Sequence, residues 1–144
     1  MENTNIETLN GADSTLVARA IVEVLIEKRA LDVHLYKVQE TSSITDYYVN
    51  ATGRSALNTA ALAGYVTDKL SMLGVNEQHI EGRSAGSWIL VDYGDVIVNV
   101  FDRESREFYN FDRLMPEGSE VDISDILAAV DEKLQAIKNN KKED

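Results

Sequence analysis

Residues 88–101 constrain the fold more than any other segment. Two short apolar runs, Trp88–Asp92 and Asp95–Phe101, are joined through Tyr93-Gly94. Strands linked this tightly must pair antiparallel, because a parallel partner needs a long crossover. A hairpin is therefore built into the chain, and the rest of the domain has to be arranged around it.

The flanking segments supply partners. From Ser14, the positions Val17, Ala20, Ile21, Val24 and Leu25 follow helical spacing, with Asp13 or Ser14 able to cap. Asp32–Val38 alternates as a strand, and Tyr47–Thr52 is aromatic and β-branched, a second strand. Ser55 can cap a long helix with Leu62, Val66, Leu70 and Leu73 on its apolar stripe, and Gly74 closes it. A short strand is expected around His79–Glu81. Arg103–Leu114 is charged and aromatic and suits a short helical turn. Pro116 and Gly118 break the chain before a final amphipathic helix, capped by Ser124, with Ile126, Leu127, Val130, Leu134 and Ile137. The expected fold is α/β (α+β-like): a mixed sheet of about five strands packed by helices, plus a C-terminal helix. Residues 1–12 form a polar tail, 13–115 the domain, and 116–144 an extension.

Strand alternation sorts the sheet into two faces. Ile89, Val91, Val96, Val98 and Val100 belong under the helices. Tyr48, Asn50, Trp88, Leu90, Asp92, Asn99 and Phe101 look out of the other face, which has no evident cover. Aromatic anchors mixed with polar groups that fix register suit an interface. The alternative is that the helix at 124–138 simply covers this face. With the face open, Trp88→Ala should cost stability about 1 kcal/mol or less, as surface changes do, and docking at least about 2 kcal/mol.

Charge and composition narrow the partner. The formal net charge is -11, which disfavours gripping phosphate backbones and favours a basic partner surface, though it also serves solubility. There are no cysteines, and the two histidines, His34 and His79, lie far apart, so a Cys/His metal site is not expected. No apolar run reaches membrane-spanning length.

A nucleotidyl-transfer enzyme is the rival. It needs two carboxylates one residue apart on a strand after a Gly-Ser turn. Gly86-Ser87 is present, but Asp92 and Asp95 are one residue too far apart. Asp102/Glu104 lacks an apolar strand, and Glu120/Asp122 adjoins a helix cap. Asp92 and Asp95 are better explained by turn chemistry, as is Asp46 before its own strand. No catalytic residue, metal or cofactor is expected.

Three motifs resemble the ribosomal silencing factor (Iojap-like) family. They are Ser42–Val49 followed by Ala51–Ser55; Glu81-Gly82 followed by Ser87–Val98, with Trp-x-x-x-Asp-x-Gly-Asp the most specific part; and Glu104–Tyr109 through Asp112–Leu114. This chain departs from many relatives in carrying Asn99 where they have histidine, and in the segment after Met115. The resemblance implies a topology similar to nucleotidyltransferases and binding to the uL14-family protein of the large ribosomal subunit. It also implies steric blocking of subunit joining, repression of translation when nutrients are short, a homodimer in isolation, and a cytoplasmic setting. The expected docking residues are Tyr48, Trp88, Leu90, Asp92, Tyr93, Asp95, Asn99 and Phe101. Sequence-specific nucleic-acid binding is not expected.

Overall fold

A computed structural model describes residues 8–143. Its elements run α1 (Ser14–Glu27), β1 (Leu31–Lys37), β2 (Tyr47–Thr52), α2 (Ala56–Met72), β3 (His79–Glu81), β4 (Trp88–Asp92), β5 (Val96–Phe101) and α3 (Arg103–Tyr109). A 3-10 turn (Phe111–Leu114), β6 (Glu120–Val121) and α4 (Ser124–Glu143) follow. The sheet order is β3-β4-β5-β2-β1-β6. Only β2 and β5 are parallel, so the sheet is mixed.

The local signals act as their chemistry dictates. The Asp13 carboxylate accepts from Thr15 N and starts α1, and the Ser55 hydroxyl accepts from Asn58 N and starts α2. The hairpin pairs Trp88 with Phe101 and Asp92 with Ile97. At its tip the Asp92 carboxylate accepts from Gly94 N at 2.7 Å. Helices α1 and α2 bury Val17, Ile21, Leu25, Leu62, Val66 and Leu70 against Val49, Ile89, Val91, Val96, Val98 and Val100.

The sheet has six strands, the two-residue β6 being added at its edge. Three expectations need correction. The Asp122 carboxylate, not Ser124, opens α4, by accepting from Ser124 N at 2.8 Å. Asp46 serves more than its own loop: its carboxylate accepts from Ser14 Oγ at 2.9 Å and ties that loop to the start of α1. Finally, the second face of the sheet is not bare. Helix α4 does not cover it; α4 joins the helical layer beside α1, burying Ile126 and Val130 and pairing Lys133 with Glu27 and Asp125 with Arg19. The cover comes from the short segment formed by α3 and the 3-10 turn, because its aromatic residues stack on those of the strands.

Candidate functional site

The covered face is built on a line of side chains that cross the sheet. The Trp88 indole donates to Asn99 Oδ1 at 2.9 Å, Asn99 Nδ2 to Asn50 Oδ1 at 3.1 Å, and Asn50 Nδ2 to Asp112 Oδ2 at 3.3 Å. Asn50 and Asn99 are fully buried and directly opposite on the parallel β2–β5 pair. A buried amide without a partner is costly, so each fixes the other's orientation.

Asp112 closes the line and anchors the cover. Arg106 grips it in a two-pronged pair, Nε to Oδ1 at 2.7 Å and Nη2 to Oδ2 at 3.0 Å. Tyr36 donates its hydroxyl to the same carboxylate at 2.8 Å. The third guanidinium nitrogen of Arg106 donates to Thr52 Oγ1 at 2.9 Å, and the group lies over the Phe101 ring. Burial pushes the Asp112 carboxyl up, but the hydrogen bonds from Arg106, Tyr36 and Asn50, with the Arg106 charge, outweigh it and leave the group below its ordinary value. Burial and the same contact raise the Tyr36 hydroxyl.

The aromatic half of the site surrounds Trp88. Its ring lies 4.9 Å from Phe101, 4.9 Å from Tyr109 and 6.0 Å from Phe111, and Tyr48 meets Phe111 edge-on at 5.3 Å. Asn110, in the left-handed region at φ 48, turns the chain between α3 and the 3-10 turn. Beyond this stack an apolar ridge faces outward: Phe108 is 78%, Leu114 71% and Tyr109 51% exposed.

The expected site residues fall into four groups. Tyr48, Trp88, Leu90 and Asp92 share the face and are partly accessible. Asn99 and Phe101 share it too, but both are fully buried and support the surface from beneath. Tyr93 lies on the helix side, within the main core; burial, then the charge of Glu77, raises its hydroxyl, which has no hydrogen-bond partner among the described residues. Asp95 is exposed at the hairpin tip, where its carbonyl accepts from the backbone of Asp46 and Tyr47. The residues missed were Tyr36, Arg106 and Asp112, and the ridge. A run of aromatics at 108, 109 and 111 inside a charged segment was the available signal.

The polar groups of this face are engaged with one another, and among the described residues no group of three or more His, Asp or Glu is placed to hold a metal ion. The fold and the face define a small mixed α/β binding module. The description "Ribosomal silencing factor during starvation" matches residues 12–144. The chain is 34% identical over 110 residues to the ribosomal silencing factor RsfS of Zymomonas mobilis, covering 76% of this chain and 83% of that one. With the Bacillus subtilis protein of the same name it shares 31% over 97 residues, 67% of this chain and 82% of the relative. A crystal structure of a Chromobacterium violaceum protein superposes with a TM-score of 0.70 at 30% identity, covering 72% of this chain and 86% of that one. This chain belongs to the ribosomal silencing factor family, a non-enzymatic family that binds uL14 on the large ribosomal subunit and blocks subunit joining.

Proposed function

We propose that this chain docks on the uL14-family protein through the face bearing Tyr48, Trp88, Leu90 and Asp92, together with the ridge at Phe108, Tyr109 and Leu114. The single observation that carries this is the ridge: large apolar groups stand exposed beside a half-buried tryptophan. Exposed aromatics around a packed anchor are the usual chemistry of a protein interface. The acidic chain suits a basic ribosomal surface. Asn99, Phe101 and the Asp92–Asp95 turn shape the face from below and beside. Tyr93 anchors the turn of the hairpin within the core.

Residues 13–115 carry the docking surface, while residues 116–144 add β6 at the edge of the sheet beside β1, and α4 in the helical layer on the opposite face. In isolation the ridge is available to a second copy, so a homodimer that dissociates on docking belongs to the same proposal. The setting is the cytoplasm, where subunits meet. Among the described residues no helix is long and apolar enough to cross a membrane. Relatives also include a mouse protein named for mitochondrial assembly of the large subunit and the chloroplastic Iojap protein of maize.

Co-sedimentation with purified large and small subunits tests the proposal. Retention on large subunits, and loss of small-subunit joining, is the expected result. Binding to small subunits alone would overturn it.

A further inference from the structure

Helix α3 has only 7 residues, and the turn after it has 4. Segments this short are not stable helices by themselves. Their order has to come from contacts to the sheet; Phe108 and Leu114 point largely outward and supply little of it, while half-exposed Tyr109 stacks on Trp88. The other ties are few. Asp102 caps α3 by accepting from Ser105 N at 2.8 Å, and Phe111 stacks on Tyr48 and Trp88. All the remaining side-chain hydrogen bonds from the segment to β1 and β2 pass through Asp112 or through Arg106, which Asp112 holds.

We propose that Asp112 is a positioning residue for docking: its carboxylate gathers Arg106, Tyr36 and Asn50, and so holds the ridge at Phe108, Tyr109 and Leu114 in the one shape the partner meets. This rests on the docking function proposed above. The Asp112 side chain is only 23% exposed, and it acts through the groups it holds. Its effect is on the population of the competent surface. If the held arrangement falls to a tenth of the molecules, apparent affinity falls about tenfold, and the loss sits in the association step. Removing a contact residue of the ridge acts differently, by speeding dissociation.

The two cases separate on purified large subunits. Asp112→Asn, nearly isosteric but uncharged, should slow association about tenfold and leave dissociation within about twofold. Phe108→Ala should chiefly speed dissociation. Trp88 is the only tryptophan in the chain and stacks on the segment, so its quenching by acrylamide reports whether the cover stays closed. Asp112→Asn should raise that quenching well below its melting temperature. Wild-type association with unchanged quenching in Asp112→Asn would overturn the proposal, as would a loss confined to dissociation. Should the natural chain itself fail to bind large subunits, the docking function fails; the quenching result then decides the positioning role alone. If Asp112→Asn does not fold, Tyr36→Phe removes one donor and must shift both readouts in the same direction by less; no shift in either overturns the proposal.

Discussion

The indole of Trp88 and the amide of Asn99 are joined by a 2.9 Å hydrogen bond, although the two residues sit on neighbouring strands and are not cross-strand partners. The ring is drawn diagonally over β5, where it lies between Phe101 below and Tyr109 above. Trp88 is therefore both a surface residue and part of the packing.

That dual position changes what Trp88→Ala should do. An open face would limit the cost in stability to about 1 kcal/mol. Losing the stacking on three rings and orphaning the Asn99 amide should instead cost about 3 kcal/mol, the low end for buried aromatic truncations. Docking by the folded fraction should still weaken by about 2 kcal/mol or more. Melting and subunit binding on the same variant check both. A melt within about 1 kcal/mol of wild type would show that the aromatic stack contributes little.

Asp112 should leave a signature in acid. Its folded-state carboxyl is held below the ordinary value of 3.8. The stability it contributes is then fully present above the unfolded-state value, about 3.9, and is lost as pH falls through the lower folded-state value. The stability gap between wild type and Asp112→Asn should be constant from neutrality to about pH 5 and shrink below about pH 4. Denaturant midpoints across that range measure it. A gap that widens on acidification would contradict the assignment.

Removing residues 124–144 should leave a folded domain that melts earlier and still docks. Ile126 and Val130 are buried against α1, and each such side chain is worth about 1.5–3 kcal/mol at most. The docking face lies on the other side of the sheet. Loss of cooperative unfolding in the truncated chain would place α4 among the elements the fold requires.

Gly82 is pressed against the carbonyl of Trp88 and sits at φ +84. A methyl group there meets that carbonyl directly, in a backbone region L residues disfavour. Gly82→Ala should cost about 2 kcal/mol or more and displace β4, so that docking falls with stability. Unchanged melting would show that the loop before β4 gives way freely.

The periodic elements could be read from the chain because their patterns are long. Alternation along the hairpin put Trp88, Asn99 and Phe101 on one face, and the observed register pairs Trp88 with Phe101. The two-residue β6 carries too little pattern to be seen. The cover over the face was missed for a different reason. It depends on an ion pair between Arg106 and Asp112, brought together by a left-handed Asn110, and neither charge periodicity nor helix length signals such a closure. Long helices alone leave the second face empty and predict Asn99 and Phe101 to be accessible, whereas both are sealed.

The parallel pairing of β2 with β5 has a consequence for how the chain is made. Tyr47 aligns with Val96 and Thr52 with Phe101, so the middle of the sheet joins strands from opposite halves of the polypeptide. While the chain is still emerging from the ribosome that synthesises it, β1 and β2 can form their antiparallel pair, but the inner edge of β2 has no neighbour until β5 has been translated. Asn50 waits there for Asn99 to satisfy its carbonyl oxygen. Such long-range closure is slow and leaves an edge exposed in the interval. A member of a family that meets large subunits before they join is thus one whose own central seam closes late in its synthesis.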